Sequence, residues 1–375
     1  MSVIYAVLPF VSMLVALIVI HELGHFFTAK AFGIKVLEAG IGYPPRAWGF
    51  EWRGTIYSIN WLPLGGFVRL LGEEDPSDPQ SLAAQPAWKR LIVLFAGSGM
   101  NIILPIFLFS IAFMIPRDVP LGPAVIEVVE AGSPAAEAGI RPGDEIVELE
   151  GREVKNTSDA GRIIRLNMGD TIDFKVRRQA TGGGEQIVEL PVKARWDPPS
   201  NQGPTGIRIA NLAQTIPQCA TFTDPPPECR PTERESYNPI KALGKGWTST
   251  WDSLILARNQ IIGVFHGGAG PDVAGPVGIA QATGEVVEDS GWLVLLDFAA
   301  LLSINLAIIN VLPLPMLDGG RIAFVVLEVI RGGRRIAPEK EAIVHLVGLA
   351  LILTMAVVVT YFDILRIIGG GSLFE

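Results

Sequence analysis

Four stretches of this sequence are each apolar and long enough to cross the hydrocarbon core of a bilayer, and nothing else in the chain restricts its fold as much. A crossing takes roughly 20 helical residues. The stretches run from residue 3 to about 32, from 91 to 115, from 292 to about 314, and from 343 to 367. Lipid offers no partner for a free peptide N–H or C=O, so such runs must be helices whose backbone is satisfied internally. The composition agrees, with 49% hydrophobic and 18% charged residues over 375. The fold class is therefore a polytopic α-helical membrane protein with about four transmembrane helices, for which the lipid bilayer is itself a partner. The first run carries no basic leader and no small-residue cleavage site, and reads as a retained span rather than a signal peptide. A net charge of -8 without a basic face or arm excludes nucleic acid as a partner.

Basic side chains resist translocation, so their placement in short connections orients the spans. Lys30, Lys35, Arg46, Arg53, Arg69, Lys89 and Arg90 fall between the first and second runs. Arg321, Arg331, Arg334, Arg335 and Lys340 fall between the third and fourth. Both termini lack them, so both termini and the long middle region are expected on the extracytoplasmic side.

Residues 1–115 and 292–375 thus form two halves of a membrane core. Within the first half, residues 36–71 alternate aromatic or β-branched residues with polar ones, as in "AWGFEWRGTIYSINWLPLGGFVRLLG". This predicts a β-rich, membrane-associated element whose backbone can sit at membrane depth only where protein shields it. Residues 116–196 show strand, short helix, Gly-Asp turn and further strands, an extracytoplasmic α+β domain with Ser133 as N-cap and Pro134 opening the helix. Residues 197–238, rich in Pro, Thr and Glu, read as a linker. Cys219 and Cys229 within it are a disulfide candidate, two free thiols being the alternative. Residues 239–291 read as an amphipathic interfacial segment, with a packed soluble helix as the alternative.

One constellation carries chemistry. His21, Glu22 and His25 spell H-E-x-x-H near the inward end of the first span. On a helix, positions i and i+4 share a face, so both imidazoles reach one cation while Glu22 stands beside the open coordination position as general base. Helix rise puts His21 about 27 Å from residue 3, in the inner half of the bilayer. A buried glutamate flanked by two histidines is costly there and is usually functional. A third ligand should come from another span at similar depth, and "NVLPLPMLDGGR" breaks the third run with two prolines and offers Asp318. Two histidines and an aspartate make zinc the default metal. His266 and His345 read as structural.

On these residues the chain closely resembles the site-2 protease family of intramembrane zinc metalloproteases, in the bacterial branch typified by the regulator of sigma-E protease. The motifs "HELGHFFTAKAFGIKV", "PLGGFVRLLGE", "FAGSGMN" and "NVLPLPMLDGGR" occur in order, with a PDZ-like module before the last. The resemblance implies zinc held by His21, His25 and Asp318, with Glu22 as catalytic base. It implies substrate binding by Gly65, Gly66, Phe67 and Val68 in a membrane-dipping β element, by Asn310, and by Asn101 near the same cavity. It implies cleavage of single-span membrane proteins, such as anti-sigma factors or remnant signal peptides. The location implied is the bacterial cytoplasmic (inner) membrane, with the active site in its cytoplasmic half. The chain departs from the pattern in having one PDZ-like module where the best-studied relatives have two, and Ser98 where proline is commoner. A groove near residues 122–128 is expected either to accept a peptide C-terminus or to act as steric bulk. The competing reading is a membrane PDZ adaptor or holdase with a structural metal, which the intact Glu22 disfavours.

Overall fold

A computed structural model describes residues 3–120, 122–180, 184–199, 201–211, 232–268 and 274–369. The Cys219 and Cys229 disulfide candidate lies outside them. The chain opens with α1 (Val3–Ala31), β1 (Val36–Trp52), β2 (Thr55–Leu70) and α2 (Ala87–Met114). It continues with β3 (Arg117–Pro120), β4 (Ala124–Val129), α3 (Pro134–Glu137), β5 (Glu145–Leu149), β6 (Arg152–Glu153) and α4 (Thr157–Leu166). Then come β7 (Thr171–Gln179), β8 (Glu185–Lys193), β9 (Ile207–Asn211), β10 (Thr232–Glu235) and α5 (Pro239–Phe265). It closes with α6 (Pro276–Ser290), a 3-10 turn at Trp292–Val294, α7 (Leu295–Val311), α8 (Asp318–Ile330) and α9 (Pro338–Ile368). These fall into two compact units, Met1–Ala112 with Ala242–Thr250 and Asp272–Glu375, and Phe113–Lys241 with Trp251–Pro271.

Among the described residues of the first unit, four helical stretches are long and apolar enough to cross a membrane: Val7–Ala31, Ala87–Met114, Trp292–Val311 and Pro338–Ile368. The third ends before the expected residue 314, because Pro313 disfavours helical backbone at Leu312, which is extended (ψ 141°). The short α8, whose first residue is Asp318, is a separate half-length helix. α6 packs against α1 and α9, so residues 276–290 group with the first unit as a helix separate from α5. Their composition is small and mixed, "PVGIAQATGEVVEDS", which hid them among the neighbouring amphipathic residues.

The predicted β element is present, and it is wider than a hairpin. Each long strand bends, so that Glu38 stands opposite both Ile56 and Arg69, and Gly40 opposite both Ser58 and Phe67, while residues 46–52 pair with 55–60. Segments 66–70, 36–41, 55–60 and 46–52 thus lie side by side in that order. Glu38 ties all four: its carboxylate accepts from Arg46 (2.8 Å), Ser58 (2.8 Å) and Arg69 (3.2 Å). Trp48, Phe50, Trp52 and Trp61 are exposed, as suits a sheet immersed in an apolar medium. Below it, Ala29, Ile34, Val36, Leu70, Val93, Leu94, Ile322 and Val325 form one buried cluster. That cluster draws α8 against α1, α2 and the sheet, which fixes where Asp318 can point.

The second unit is an α+β module. Its sheet runs β8-β7-β5-β4-β9, with β6 on β5, over a core including Ile126, Ile146, Leu149, Ile163 and Phe174. Ser133 caps α3 as expected, its hydroxyl accepting from the Ala136 amide. Two expectations need correction. The stretch 197–238 is not simply a linker: β9 completes the sheet and β10 pairs with β3. The alternation in "IRIA" was the missed signal, outweighed by the surrounding prolines. The groove placed near residues 122–128 is largely closed to strand addition, because β4 is hydrogen-bonded to β9 from Ala124 to Val129 and to β5 at Ala124 and Val125. Among the described residues, the edge open to strand addition beside β4 is that of β9.

Candidate active site

His21 and His25 lie one turn apart on α1, their rings edge to face with centroids 4.9 Å apart. Nε2 of His21 is 3.0 Å from Oδ2 of Asp318, Nε2 of His25 is 3.1 Å from the same oxygen, and the two nitrogens are 3.2 Å apart. Both histidines are buried. Three atoms able to ligate a metal, 297 residues apart along the chain at most, therefore meet at one point. Tetrahedral zinc with bonds near 2.0–2.1 Å separates its ligands by about 3.3 Å, so the cluster matches a metal site with little rearrangement.

The atoms behind the ligands support the same chemistry. Nδ1 of His25 donates to the Val93 carbonyl at 2.8 Å, which leaves the Nε2 lone pair turned toward Asp318. Nδ1 of His21 lies 3.3 Å from the amide nitrogen of Asn101, whose Oδ1 is buried without a partner among the described residues. Ligation through Nε2 puts a proton on Nδ1. A half-turn of the Asn101 amide would then present Oδ1 to that N–H and satisfy both groups. Asn101 is itself anchored, its carbonyl accepting from Ser303 on α7 at 2.8 Å.

Backbone proximity makes this convergence possible. A Cβ on Gly24 would overlap the Ala96 carbonyl, and one on Gly97 would overlap the imidazoles of both His21 and His25. The two glycines let α1 and α2 touch main chain to main chain, as small residues do in membranes. On the other side, Gly319 and Gly320 fold back against the carbonyls of Val311, Leu312 and Leu314. The loop between α7 and α8 is thereby tight enough to return Asp318 to the histidines. Glu328 of α8, outside the four spans, is bound by both Arg90 of α2 (2.6 Å) and Arg335 (3.1 Å). Burial pushes this carboxyl up, but the two guanidinium groups outweigh it and hold it below the usual glutamate range.

Glu22 faces away from the ligand cluster's packed side into a cleft of about 310 Å³ between α1 and the sheet. Phe26, Trp48, Tyr57, Phe67 and Val68 are among the residues lining it. Gly65 and Gly66 pack on Ile18 and Val19, which presses strand 66–70 onto α1. Of the residues expected to bind substrate, Phe67 and Val68 line the cleft, Gly65 and Gly66 hold its wall in place, and Asn101 stands behind His21. Asn310 is buried near the end of α7. Gly97 and Gly24 were not singled out from sequence. The signal was present for Gly97, which stands four residues before Asn101 and so shares its helix face.

Comparison with known proteins agrees with this geometry. Residues 9–355 match the model of Peptidase family M50. The chain is 30% identical to a protein of Agrobacterium fabrum named as a candidate zinc metalloprotease, over 97% of this chain and 96% of that one. It is 32% identical to a similarly named Clostridium perfringens protein, over 97% and 99%. It is 28% identical to zinc metalloprotease RasP of Oceanobacillus iheyensis, over 96% and 99%. A multi-pass chain with an H-E-x-x-H helix and a match over nearly its full length belongs to peptidase family M50, the site-2 proteases, and is a zinc metalloprotease.

Proposed function

We propose that this metalloprotease cuts its substrates within the membrane, at a centre where His21, His25 and Asp318 hold zinc and Glu22 is the general base. The observation that carries the reading is that Glu22 opens into an apolar cleft while its two helical neighbours converge with Asp318 on one point. Bound zinc supplies Lewis acidity toward water and the scissile carbonyl. Glu22 takes a proton from the attacking water and passes it to the leaving amine. The buried imidazoles need not move, since their outer nitrogens are already fixed by Val93 and Asn101.

A helix hides its scissile bonds, so the substrate segment must be drawn out. No other strand pairs the outer edge of segment 66–70 among the described residues, and Phe67 and Val68 of that segment line the cleft. Strand addition there would hold an extended segment next to Glu22. Single-span membrane proteins, such as anti-sigma factors or remnant signal peptides, are the substrates we propose, in a bacterial inner membrane with the active site in its cytoplasmic half. The second unit is read as an extracytoplasmic PDZ-like domain that accepts a peptide C-terminus along β9 or limits access by bulk. The exposed Ile240, Trp247, Trp251 and Phe265 of α5 suit the outer lipid interface. The test is a reporter single-span substrate in proteoliposomes: cleavage within the span, lost with a chelator and restored by zinc, is expected. Cleavage confined to the soluble part of the reporter would overturn the reading.

A further inference from the structure

α9 lies behind the loop that delivers Asp318 and grips that loop at its most constrained point. Met316 has φ 73°, a left-handed conformation that side-chain-bearing residues rarely adopt. Its amide donates to Nδ1 of His345 at 2.9 Å, and His345 is only 7% exposed. Three residues further along the same helix face, Gly348 meets Pro315 so closely that a Cβ would overlap the proline ring. The ring of Phe324, from α8, flanks the imidazole at 5.5 Å. The loop is thus held at Pro315 and Met316, three and two residues before Asp318.

The bond to Met316 also decides the chemistry of the ring. A backbone N–H can only donate, so Nδ1 carries the lone pair and the neutral ring keeps its proton on Nε2. Among the described residues Nε2 has no hydrogen-bond partner, and His345 lines a cavity of about 270 Å³ that also touches Glu74 and Arg321. Glu74, Glu341 and His345 stand within 4.8 Å of one another, a spacing a metal could use. A ligating nitrogen must present a lone pair, and this one presents a hydrogen for as long as Met316 holds Nδ1, so the bond to Met316 and metal binding through Nε2 exclude each other in the neutral ring. We infer that His345 is a positioning residue for the metalloprotease: as a neutral acceptor it holds Met316 in its left-handed turn and sets the direction from which Asp318 reaches His21 and His25. This rests on the reading of Asp318 as a zinc ligand.

The test compares zinc affinity, by competition with a chromophoric chelator, and cleavage in the full-length chain bearing His345→Asn, His345→Gln or Asp318→Ala. Asparagine places Oδ1 where Nδ1 stood and keeps the acceptor, whereas glutamine reaches the Nε2 position instead. His345→Asn should stay within about 3-fold of wild type, and His345→Gln should lose about 10- to 100-fold in zinc affinity, the usual cost of a lost outer partner. Equal behaviour of the two variants overturns the inference. If Asp318→Ala lowers affinity and His345→Gln does not, only this inference fails; unchanged affinity in Asp318→Ala removes the ligand reading beneath it. Should the variants not fold, 15N-histidine NMR of the wild-type chain decides. An unprotonated Nδ1 on His345 is expected, and a protonated one overturns the proposal.

Discussion

Two clusters in the first unit each bring three metal-capable side chains within 4.8 Å, and by distance alone they are equivalent. They differ in what stands behind the imidazoles. At His25, Nδ1 donates to the Val93 carbonyl, so Nε2 meets Asp318 with its lone pair. At His345, Nδ1 accepts from Met316, so Nε2 carries the proton, and Glu341, 3.8 Å away, is too far to accept it in a hydrogen bond. The first cluster is sealed by the close crossing of α1 and α2; the second opens on a cavity. The outer partner of a histidine, rather than its nearness to carboxylates, determines whether it can ligate.

The hardest test of the first cluster separates binding metal from using it. Glu22→Gln removes the base and leaves every proposed ligand in place, so cleavage should fall by about 10²- to 10⁴-fold while one zinc per chain is retained. Loss of zinc together with activity would make Glu22 a structural member of the cluster. A second variant probes the seal. Gly97→Ala would drive a methyl into both imidazoles, at a cost of about 1–3 kcal/mol from overpacking and with weakened zinc binding. Gly99→Ala, on the same helix with nothing within 4 Å of the added carbon, is the control and should be silent in thermal melts and chelator competition.

How much of this was legible beforehand depends on how local each feature is. The spans and the H-E-x-x-H helix follow from runs and spacings within one segment, and both were readable. Asp318 was readable because two prolines and two glycines make no sense in a lipid-facing helix. The four-segment sheet was read only as strands and turns, since the double pairing of Glu38 and Gly40 depends on bends that no local alternation encodes. β9 was lost among prolines, and α6 among small residues. The role of Gly97 is a property of the space between two helices, and that of Asn101 emerges only once His21 is seen to need an outer partner. His345 was assigned as structural, and its bond to Met316 spans 29 residues of sequence that show no pattern linking the two.

A smaller effect concerns how α8 is moored. Glu328 joins α2 to α8 through Arg90 and Arg335, and its carboxyl titrates below the usual range. A group lowered in the folded state stabilises above its unfolded value, and that contribution fades as pH falls through the lowered native one. Glu328→Gln should therefore cost about 1 kcal/mol at neutral pH, the pair being partly solvated. The gap between the variant and wild type in thermal melts should close as the pH is lowered through and below the glutamate range. A gap independent of pH would mean that shape rather than charge moors the helix.

The smallest expected effect bears most directly on the comparison between clusters. If Glu74 and Glu341 took part in binding a metal, replacing both by glutamine would remove two anionic ligands and lower the metal content. Since the imidazole between them offers a hydrogen and not a lone pair, Glu74→Gln/Glu341→Gln should leave zinc at one per chain and cleavage unchanged, as read by elemental analysis and the reporter assay. A fall from two metals to one in that variant would mean that His345 can release Met316 and turn ligand. The loop carrying Asp318 would then have to be held by Gly348 and Pro315 alone.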